Sequence, residues 1–269
     1  MKKIAATVLV ALYGIALGAD WISTHRYEQQ YREVIDRPPM RGFPLGTDAL
    51  GRDRFARLLT GSRVSLLLAP SASLLAVLLA TLAGGSAALL GGFWRRLILG
   101  AADLSLSLPV LFLLLLARAF LPLNTTPVLS VAITFSILGV VGWAGPARVV
   151  SGGAAEILTG GFILAARARG VPSSRLLTSH LVPALRPLLA AQFFTLIPVF
   201  LLAEANLGML GLGVTEPLPS WGGLLRELEP LAATSGASFL SAPWLLAPAL
   251  VLAIAVAACS ILASSWRSS

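Results

Sequence analysis

Six long apolar runs limit this chain more than any other feature. About 20 apolar residues in a helix, rising 1.5 Å each, span a hydrocarbon core of about 30 Å. The runs cover residues 4–21, 65–90, 104–121, 128–150, 187–210 and 242–263. The charged fraction is only 12%, too little to cover a soluble domain. The sequence therefore predicts an all-α, polytopic membrane protein with six transmembrane helices, in which Pro109 and Pro146 either kink a span or mark a break beside a loop.

The first run has two interpretations. Lys2 and Lys3, a short apolar stretch and the small residues at positions 16–19 are also typical of a signal peptide. We favour a retained helix, because a first span that follows cytoplasmic lysines fits the remaining topology. Residues 1–64 would then form a transmembrane helix with an external interfacial helix. Residues 65–269 would form a five-helix core with a cytoplasmic loop at about 151–186.

The net charge of +8 indicates an orientation. In a soluble chain such an excess often marks a nucleic-acid partner, but here we expect the bilayer and no nucleic acid. With both termini in the cytoplasm, the excess falls on the inner segments, and the outer arginines are matched by acids. The short loops agree, because Arg95 and Arg96 lie inside as the positive-inside rule requires.

The scarce residue types exclude several chemistries. Lysine occurs only at positions 2 and 3, so no GxxxxGK[ST] phosphate loop follows. His25 and His180 fall on opposite faces of the predicted membrane, and Cys259 lies within an apolar run. No zinc-type ligand cluster can be drawn from them. We therefore predict no catalytic residues, no metal, no cofactor and no enzymatic activity for this chain.

Two segments are predicted outside the membrane. In residues 22–64, Thr47 or Asp48 can cap a short helix that ends at Gly61. Its apolar side would lie in the membrane interface and would consist of Leu50, Phe55, Leu58 and Leu59. Its polar side would carry i,i+4 ion pairs, namely Asp48–Arg52 and Asp53–Arg57. Residues 211–241 form a second external segment, which is rich in Gly and Pro.

The most informative predicted inner segment is residues 147–186. A helix with small residues at Ala165 and Ala166 would end at Gly170, and Pro172 prevents its continuation. Ser173 or Ser174 can cap a second short helix that stops before Pro183. The result would be a basic helix–turn–helix between two spans. From the residues alone, it is equally a basic loop on anionic lipid headgroups.

Several motifs in this chain resemble those of one family, in the same order. The loop spacing Ala165-Ala166-x3-Gly170-x9-His180-Leu181-Val182-Pro183 resembles the "EAA" loop of ABC importer permeases. The whole set is similar to the C-type permease subunit of dipeptide, oligopeptide and nickel importers. The other motifs are Pro44-Leu45-Gly46-Thr47-Asp48 with Arg52-Asp53, Gly142-Trp143 with Ala147-Arg148, Glu204-Ala205-Asn206-Leu207, and Pro219-Ser220-Trp221-Gly222.

The resemblance implies a type I ABC importer permease in a bacterial cytoplasmic (inner) membrane, moving peptides, a similar small solute or nickel. It implies two separate ABC ATPase subunits, a second and related B-type permease, and an extracytoplasmic substrate-binding protein. The inner loop would couple the ATPases to the path. Its implied residues are Ala165, Ala166, Arg167, Arg169, Gly170, Ser173, Ser174, Arg175, His180 and Pro183.

One departure and one acid keep other functions open. Leu164 stands where the family has the acid of its loop motif, which puts that acid's polar contact in doubt. Glu204 is the acid that we place inside a span, where a charge is expensive and often functional. It either pairs with a neighbouring helix or contacts substrate. The alternative functions are a stand-alone secondary transporter or channel that uses Glu204, and a non-transporting scaffold.

Overall fold

The longest helix organises the molecule. In a computed structural model that describes residues 2–119, 126–229 and 242–267, the regular structure is helical, and α3 (Arg54–Leu90) runs for 37 residues. It packs against helices from both halves of the chain. The end of the third predicted span and the second half of the external Gly/Pro-rich segment lie outside the described residues.

The prediction of an interfacial helix from Thr47 or Asp48 to Gly61 is wrong. The Asp48 side chain accepts hydrogen bonds from the N–H groups of Leu50 and Arg52, which folds this stretch into a turn. The helix begins at Arg54, capped by Asp53, whose side chain accepts from the N–H of Phe55. It then continues without a stop into the predicted second span.

The first half of the chain contains two interruptions in its predicted spans. Its helices are α1 (Lys2–Leu17), α2 (Ala19–Ile22), α3, α4 (Gly92–Ser107), α5 (Val110–Ala119), α6 (Pro127–Val141) and α7 (Ala144–Leu158). The third span is broken at Pro109, which leaves Leu108 extended as a residue before proline tends to be. The fourth bends by 43° between α6 and α7. Pro146 does not cause that bend, because it lies in the first turn of α7, where proline is tolerated.

The second half departs from prediction at its loop. Its helices are α8 (Gly161–Ala168), α9 (Ser173–Leu176), α10 (Val182–Met209), α11 (Trp221–Arg226) and α12 (Ala247–Arg267), and a 3-10 turn at Pro243–Leu246 precedes α12. The predicted second short helix does not stop before Pro183. It passes through a π turn at Leu177–Leu181 directly into α10. Ser173 and Ser174 make no side-chain cap, because Pro172 occupies the N-cap position.

The helices that satisfy membrane-span criteria are fewer than the six predicted runs. Within the described ranges, three helices qualify by length and composition, at Arg54–Leu90, Ser173–Met209 and Pro243–Ser264. The bent pair α6–α7 adds a fourth if it counts as one span. Helix α1 has 16 residues, and α4 and α5 are separated by their break. The lengths of these helices therefore establish a polytopic bundle. The number of six membrane spans stays a prediction.

Two apolar clusters hold the bundle together. The larger one joins α3, α6, α10, α11 and α12 around Leu66, Leu138 and Leu201. The smaller one lies near the C-terminal end of α3 and joins α7, the loop and the start of α10. Its buried members are Val150, Ala154, Leu158, Ile163, Ala166, Leu176, Leu181 and Leu185. The two ends of α3 therefore have different surroundings.

Candidate functional site

Ion pairs of two buried arginines surround the N-terminal end of α3, which we call the arginine end: Asp48, Arg52, Arg57, Glu216 and Glu227. Arg52 Nε lies 2.7 Å from Asp48 Oδ2, and its Nη1 lies 2.6 Å from Glu216 Oε2. Arg57 Nη1 lies 3.1 Å from Asp48 Oδ2, and its Nη2 lies 3.0 Å from Glu216 Oε1 and also contacts Glu227. The Arg57 residue is 0% exposed. Segments that are more than 150 residues apart in sequence are thus tied to one helix end.

Of the two ion pairs predicted at this end, the structure contains one. Asp48–Arg52 is confirmed, although a turn and not a helix brings the two together. Asp53–Arg57 is wrong, because the Asp53 carboxylate caps α3 and lies 2.9 Å from His25 Nδ1. That leaves Arg57 to Asp48, Glu216 and Glu227.

His25 joins an aromatic group beside this end. Its ring stacks on Phe43, with centroids 4.6 Å apart, and meets Tyr31 edge-on at 5.1 Å. Within the described ranges, no group of three or more His, Cys, Asp or Glu is placed to hold a metal ion. His25 thus serves to anchor residues 25–43 to the start of α3.

Sequence reasoning missed Glu216 and Glu227 as partners of the arginines. Burial raises the pKa of Glu227 above its usual value, and Arg57 opposes that rise. Two guanidinium groups face three carboxylates here, so one carboxylate lacks a full countercharge. The available signal was the matched number of arginines and acids in the two external segments, which indicates pairing without saying which residues pair.

A second group of polar side chains joins α3, α10 and α11, one to three helical turns along α3 from the arginine end. The Glu204 residue of α10 is 0% exposed, and its Oε2 accepts from the Ser65 hydroxyl at 3.3 Å. The Ser65 oxygen also accepts from the Trp221 backbone N–H at 3.3 Å, and the Trp221 indole donates to Ser62 at 3.0 Å. Oε1 of Glu204 is buried without a hydrogen bond of good geometry within the described chain. We call this the serine–glutamate cluster: Ser62, Ser65, Glu204 and Trp221.

The C-terminal end of α3, which we call the loop end, carries the predicted coupling residues. Helix α8 closes near Gly170, whose φ of +77° is the left-handed conformation expected after a helix. Ala166 is buried in the smaller apolar cluster, whereas Ala165 is exposed. Exposed residues also include Arg169, Ser173, Ser174 and Arg175, while His180 and Pro183 are partly buried. Arg167 lies in α8, and its side chain is outside the described set.

The loop end thus brings together most of the predicted loop residues, but it pairs none of its exposed arginines. Arg169 Nε donates to the carbonyl of Ala165 at 3.2 Å. Within the described residues, neither Arg169 nor Arg175 lies in an ion pair. Helix α8 rests on α7 through buried Ile163 and Ala166, so its exposed side presents cations from a supported helix.

Comparisons with known proteins identify the family of this chain. A family model described as "Binding-protein-dependent transport system inner membrane component" matches residues 76–268. The chain is 30% identical over 231 residues to the oligopeptide transport system permease protein OppC of Bacillus subtilis, covering 86% of this chain and 73% of that protein. It is 28% identical over 257 residues to the dipeptide transport system permease protein DppC of Bacillus subtilis, covering 95% and 76%.

A third relative covers nearly the whole chain. The glutathione transport system permease protein GsiD of Escherichia coli is 29% identical over 270 residues, covering 99% of this chain and 84% of that protein. The family model begins within α3, at residue 76, and covers the loop and α12. The chain therefore belongs to the family of inner membrane components of binding-protein-dependent transport systems, as a multi-pass permease protein of an ABC importer.

Proposed function

We propose that this chain is the C-type permease subunit of an ATP-driven importer for peptides or peptide-like solutes, and that it crosses the inner membrane six times. The crossings are α1 with α2, α3, α4 with α5, α6 with α7, α9 with α10, and α12. The substrate class is drawn from the printed names of relatives, which transport oligopeptides, dipeptides and glutathione.

The orientation that we propose places the arginine end outside and the loop end in the cytoplasm. Helix α1 runs antiparallel to α3, because Tyr13 donates to the carbonyl of Leu66 and Arg63 to that of Ala16. Lys2 and Lys3 therefore lie in the direction of the loop end, near the level of residues 76 and 77 of α3. The start of α12 lies beside Arg54 and Leu58, through Trp244, so its C-terminal end also points to the cytoplasm. In this proposed orientation α1 begins and α12 ends toward the side of the exposed arginines, as the positive-inside rule favours.

The observation that carries the proposal is the construction of the loop end. Arg169 and Arg175 are exposed on the outer side of the loop. The buried side of the same loop packs on α7 and on the start of α10. A partner that pulls or pushes α8 would therefore move spanning helices directly. We propose that this partner is one of two separate ABC ATPase subunits. The remaining partners are a second permease, of the related B type, and an extracytoplasmic binding protein.

The second candidate is a secondary transporter or channel in which Glu204 responds to protons or ions. The serine–glutamate cluster argues against it, because Glu204 is fully buried and held by Ser65 beside Trp221. A relay needs a second site that exchanges the proton. We propose instead that Glu204 joins α3, α10 and the segment that enters α11.

The experiment has a purification arm and an uptake arm. Tagged chain from its native membrane should co-purify two ATPase subunits and a second permease, and the reconstituted assembly with binding protein should take up peptide only with ATP. Glu204→Gln should leave that ATP dependence intact. Uptake by this chain alone, driven by an ion gradient and lost in Glu204→Gln, would establish the second candidate and overturn the first.

A loop variant tests the coupling role directly. Ala165→Leu adds bulk at an exposed position on α8, so folding should be unaffected while docking is blocked and ATP-driven uptake falls at least about tenfold, which corresponds to about 1.4 kcal/mol. Ala11→Leu is the matched control, because Ala11 is exposed on α1, away from the loop. Equal uptake in the two variants would contradict the docking role.

A further inference from the structure

A cleft lies beside the arginine end, between the C-terminal end of α10 and α11. Its volume is about 510 Å³, within the range of about 300–1,000 Å³ that is usual for small-molecule sites. Residues 211–217, which join the two helices, form one part of its wall, and Leu50 with Arg52 forms another. In the proposed orientation the cleft therefore lies at the outer side of the membrane, where a solute arrives.

One arginine in the cleft wall, Arg226 of α11, is held in place without a carboxylate. A Cβ on Gly211 would lie 2.8 Å from Nη1, 2.9 Å from Cζ and 3.1 Å from Nη2 of Arg226. The guanidinium group therefore packs with its face toward Gly211, whose φ of +76° also favours glycine. Arg226 is exposed and enters no ion pair with any residue that the structure describes. Its N–H donors thus stay available to a carboxylate from outside the chain.

Glu216 supplies the opposite charge in the same wall. Its side chain is 56% exposed, more than those of the other two acids at the arginine end. Its Oε2 accepts from Arg52 and its Oε1 from Arg57, and each carboxylate oxygen can accept a second hydrogen bond. Because three carboxylates share two guanidinium groups here, the cluster can neutralise one more cation, such as an ammonium group.

The cleft wall is matched to a zwitterion rather than to a single ion. Its free cation is Arg226, and its free acidic capacity is at Glu216. Thr215 adds a hydroxyl oxygen that is buried without a hydrogen-bond partner among the described residues, so a third polar group has bonding capacity to spare. Leu50 and Pro217 give the same wall an apolar part. A ligand with two charged ends and a short chain between them fits this pattern.

We propose that this cleft is an outer binding site for a zwitterionic, peptide-like solute. The Arg226 guanidinium binds the carboxylate, whose two oxygens match its paired N–H donors. Glu216 binds the ammonium group, and Leu50 packs on the chain between the two ends. The inference rests on the proposed import function and adds to it a place on this chain where the solute binds before it enters the membrane.

Protection of a cysteine in the cleft is the first test, in the complete reconstituted transporter without binding protein and with Cys259→Ala as background. Leu50→Cys should react with a maleimide, because the Leu50 residue is 49% exposed. The dipeptide alanylalanine at millimolar concentration should slow that reaction. Ile35→Cys is the matched control, because Ile35 is 48% exposed and lies outside the cleft, so its labelling should not change. Equal labelling of Leu50→Cys with and without the dipeptide would overturn the proposal.

Matched changes in the protein and the dipeptide are the second test. Arg226→Gln should raise the dipeptide concentration for half-protection about tenfold, as expected for one lost hydrogen bond to a charged group. Arg226→Lys keeps the charge but not the paired donors, so its value should lie between those of wild type and Arg226→Gln. The dipeptide amide lacks the carboxylate, so it should protect wild type and Arg226→Gln equally weakly. If Arg226→Gln weakens protection by the amide as much as by the free dipeptide, Arg226 does not bind the carboxylate and the proposal is wrong.

The two proposals fail in different ways. A wild-type assembly with no ATP-driven uptake and no ATPase partner would contradict the import function itself. Normal wild-type uptake with an unprotected cleft would contradict only the solute site. Protection by the binding protein alone, with no effect of the dipeptide, would identify the cleft as a docking surface for that protein and would also overturn the solute site.

Discussion

The two ends of α3 differ in whether their arginines are buried or exposed. At the arginine end, Arg52 and Arg57 are buried and paired with carboxylates from two segments that lie far apart in the sequence. At the loop end, Arg169 and Arg175 are exposed, and the buried contacts are apolar. The same residue type therefore closes one end within the chain and leaves the other end open to a partner.

This difference indicates which end is complete in a single chain. A buried arginine without its acids would be costly, so the arginine end must assemble within the fold itself. Exposed arginines cost little alone and gain free energy only when an acidic or polar partner arrives. The comparison predicts large stability effects at the arginine end and mainly functional effects at the loop end.

The largest expected stability effect is at Arg57. Arg57→Leu would leave three carboxylates around Arg52 alone, and removal of one partner of a buried pair typically costs about 3–5 kcal/mol. The detergent-purified variant should show a strongly lowered melting temperature or fail to accumulate. Arg26→Gln is the control, because the Arg26–Glu28 pair is exposed and such pairs contribute at most about 1 kcal/mol. Similar melting temperatures for both variants would contradict the distinction between the two kinds of pair.

The next effect concerns the helix contact beneath the loop end. Gly84→Ala would place a Cβ 2.3 Å from the carbonyl oxygen of Ala147, so α3 and α7 would have to move apart at a cost of about 1–3 kcal/mol. Gly14→Ala places a Cβ in open space and should be neutral or gain up to about 1 kcal/mol. Thermal unfolding of the two variants should shift in opposite directions or only in Gly84→Ala. A harmless Gly84→Ala would mean that this contact is looser than the structure indicates.

A smaller effect is expected in the serine–glutamate cluster. Ser65→Ala removes the hydroxyl that donates to Glu204 and accepts from the Trp221 N–H, at about 1–3 kcal/mol for buried groups left unpaired. Ser73→Ala is a matched control, because Ser73 is also fully buried on α3 but, among the residues that the structure describes, its hydroxyl donates to the carbonyl of Ala69 in its own helix. The difference in melting temperature between these variants measures the inter-helix part alone. No difference would show that the cluster does not tie α3 to α11.

The smallest effect is a pH dependence at Glu227. Because burial raises its pKa, the native chain binds this proton at a higher pH than the unfolded chain, whose glutamates titrate near about 4.3. Glu227 therefore adds stability as the pH falls through its native pKa toward about 4.3, and that contribution disappears as the pH rises again. The melting temperature of wild type minus that of Glu227→Gln should become larger on acidification. A difference that shrinks would mean that Arg57 outweighs burial.

The bundle was largely predictable from its apolar runs, because span length is set by bilayer thickness. The central parts of α3, α10 and α12 fall within three of the six runs. The helix ends were less predictable. Asp48 bonds backbone N–H groups in a turn instead of opening a helix, and nothing in the local sequence distinguishes that use from a cap. A π turn likewise carries the chain past Pro183, where local rules expect an end.

The site residues also differ in how far they could be predicted from the sequence. Gly170 and its neighbours were found because a positive φ after a helix has a local signal. Glu216 and Glu227 were missed because their partners are 159 and 170 residues away from Arg57 in the chain. The ion pair between Asp103 of α4 and Arg148 of α7 was also missed, because its two residues are 45 positions apart in the chain. Contacts of this kind follow from packing, which a single sequence does not encode in any local pattern.

The central claim is that the loop end is completed by a separate ATPase subunit, and a site-specific cross-link tests it most directly. In a Cys259→Ala background, Ala165→Cys should cross-link to an ATPase subunit in the assembled importer, with a yield that changes when ATP is added. Ala11→Cys on α1 should give no such product. If neither position cross-links to an ATPase, or if both do so equally, the proposed docking surface is contradicted.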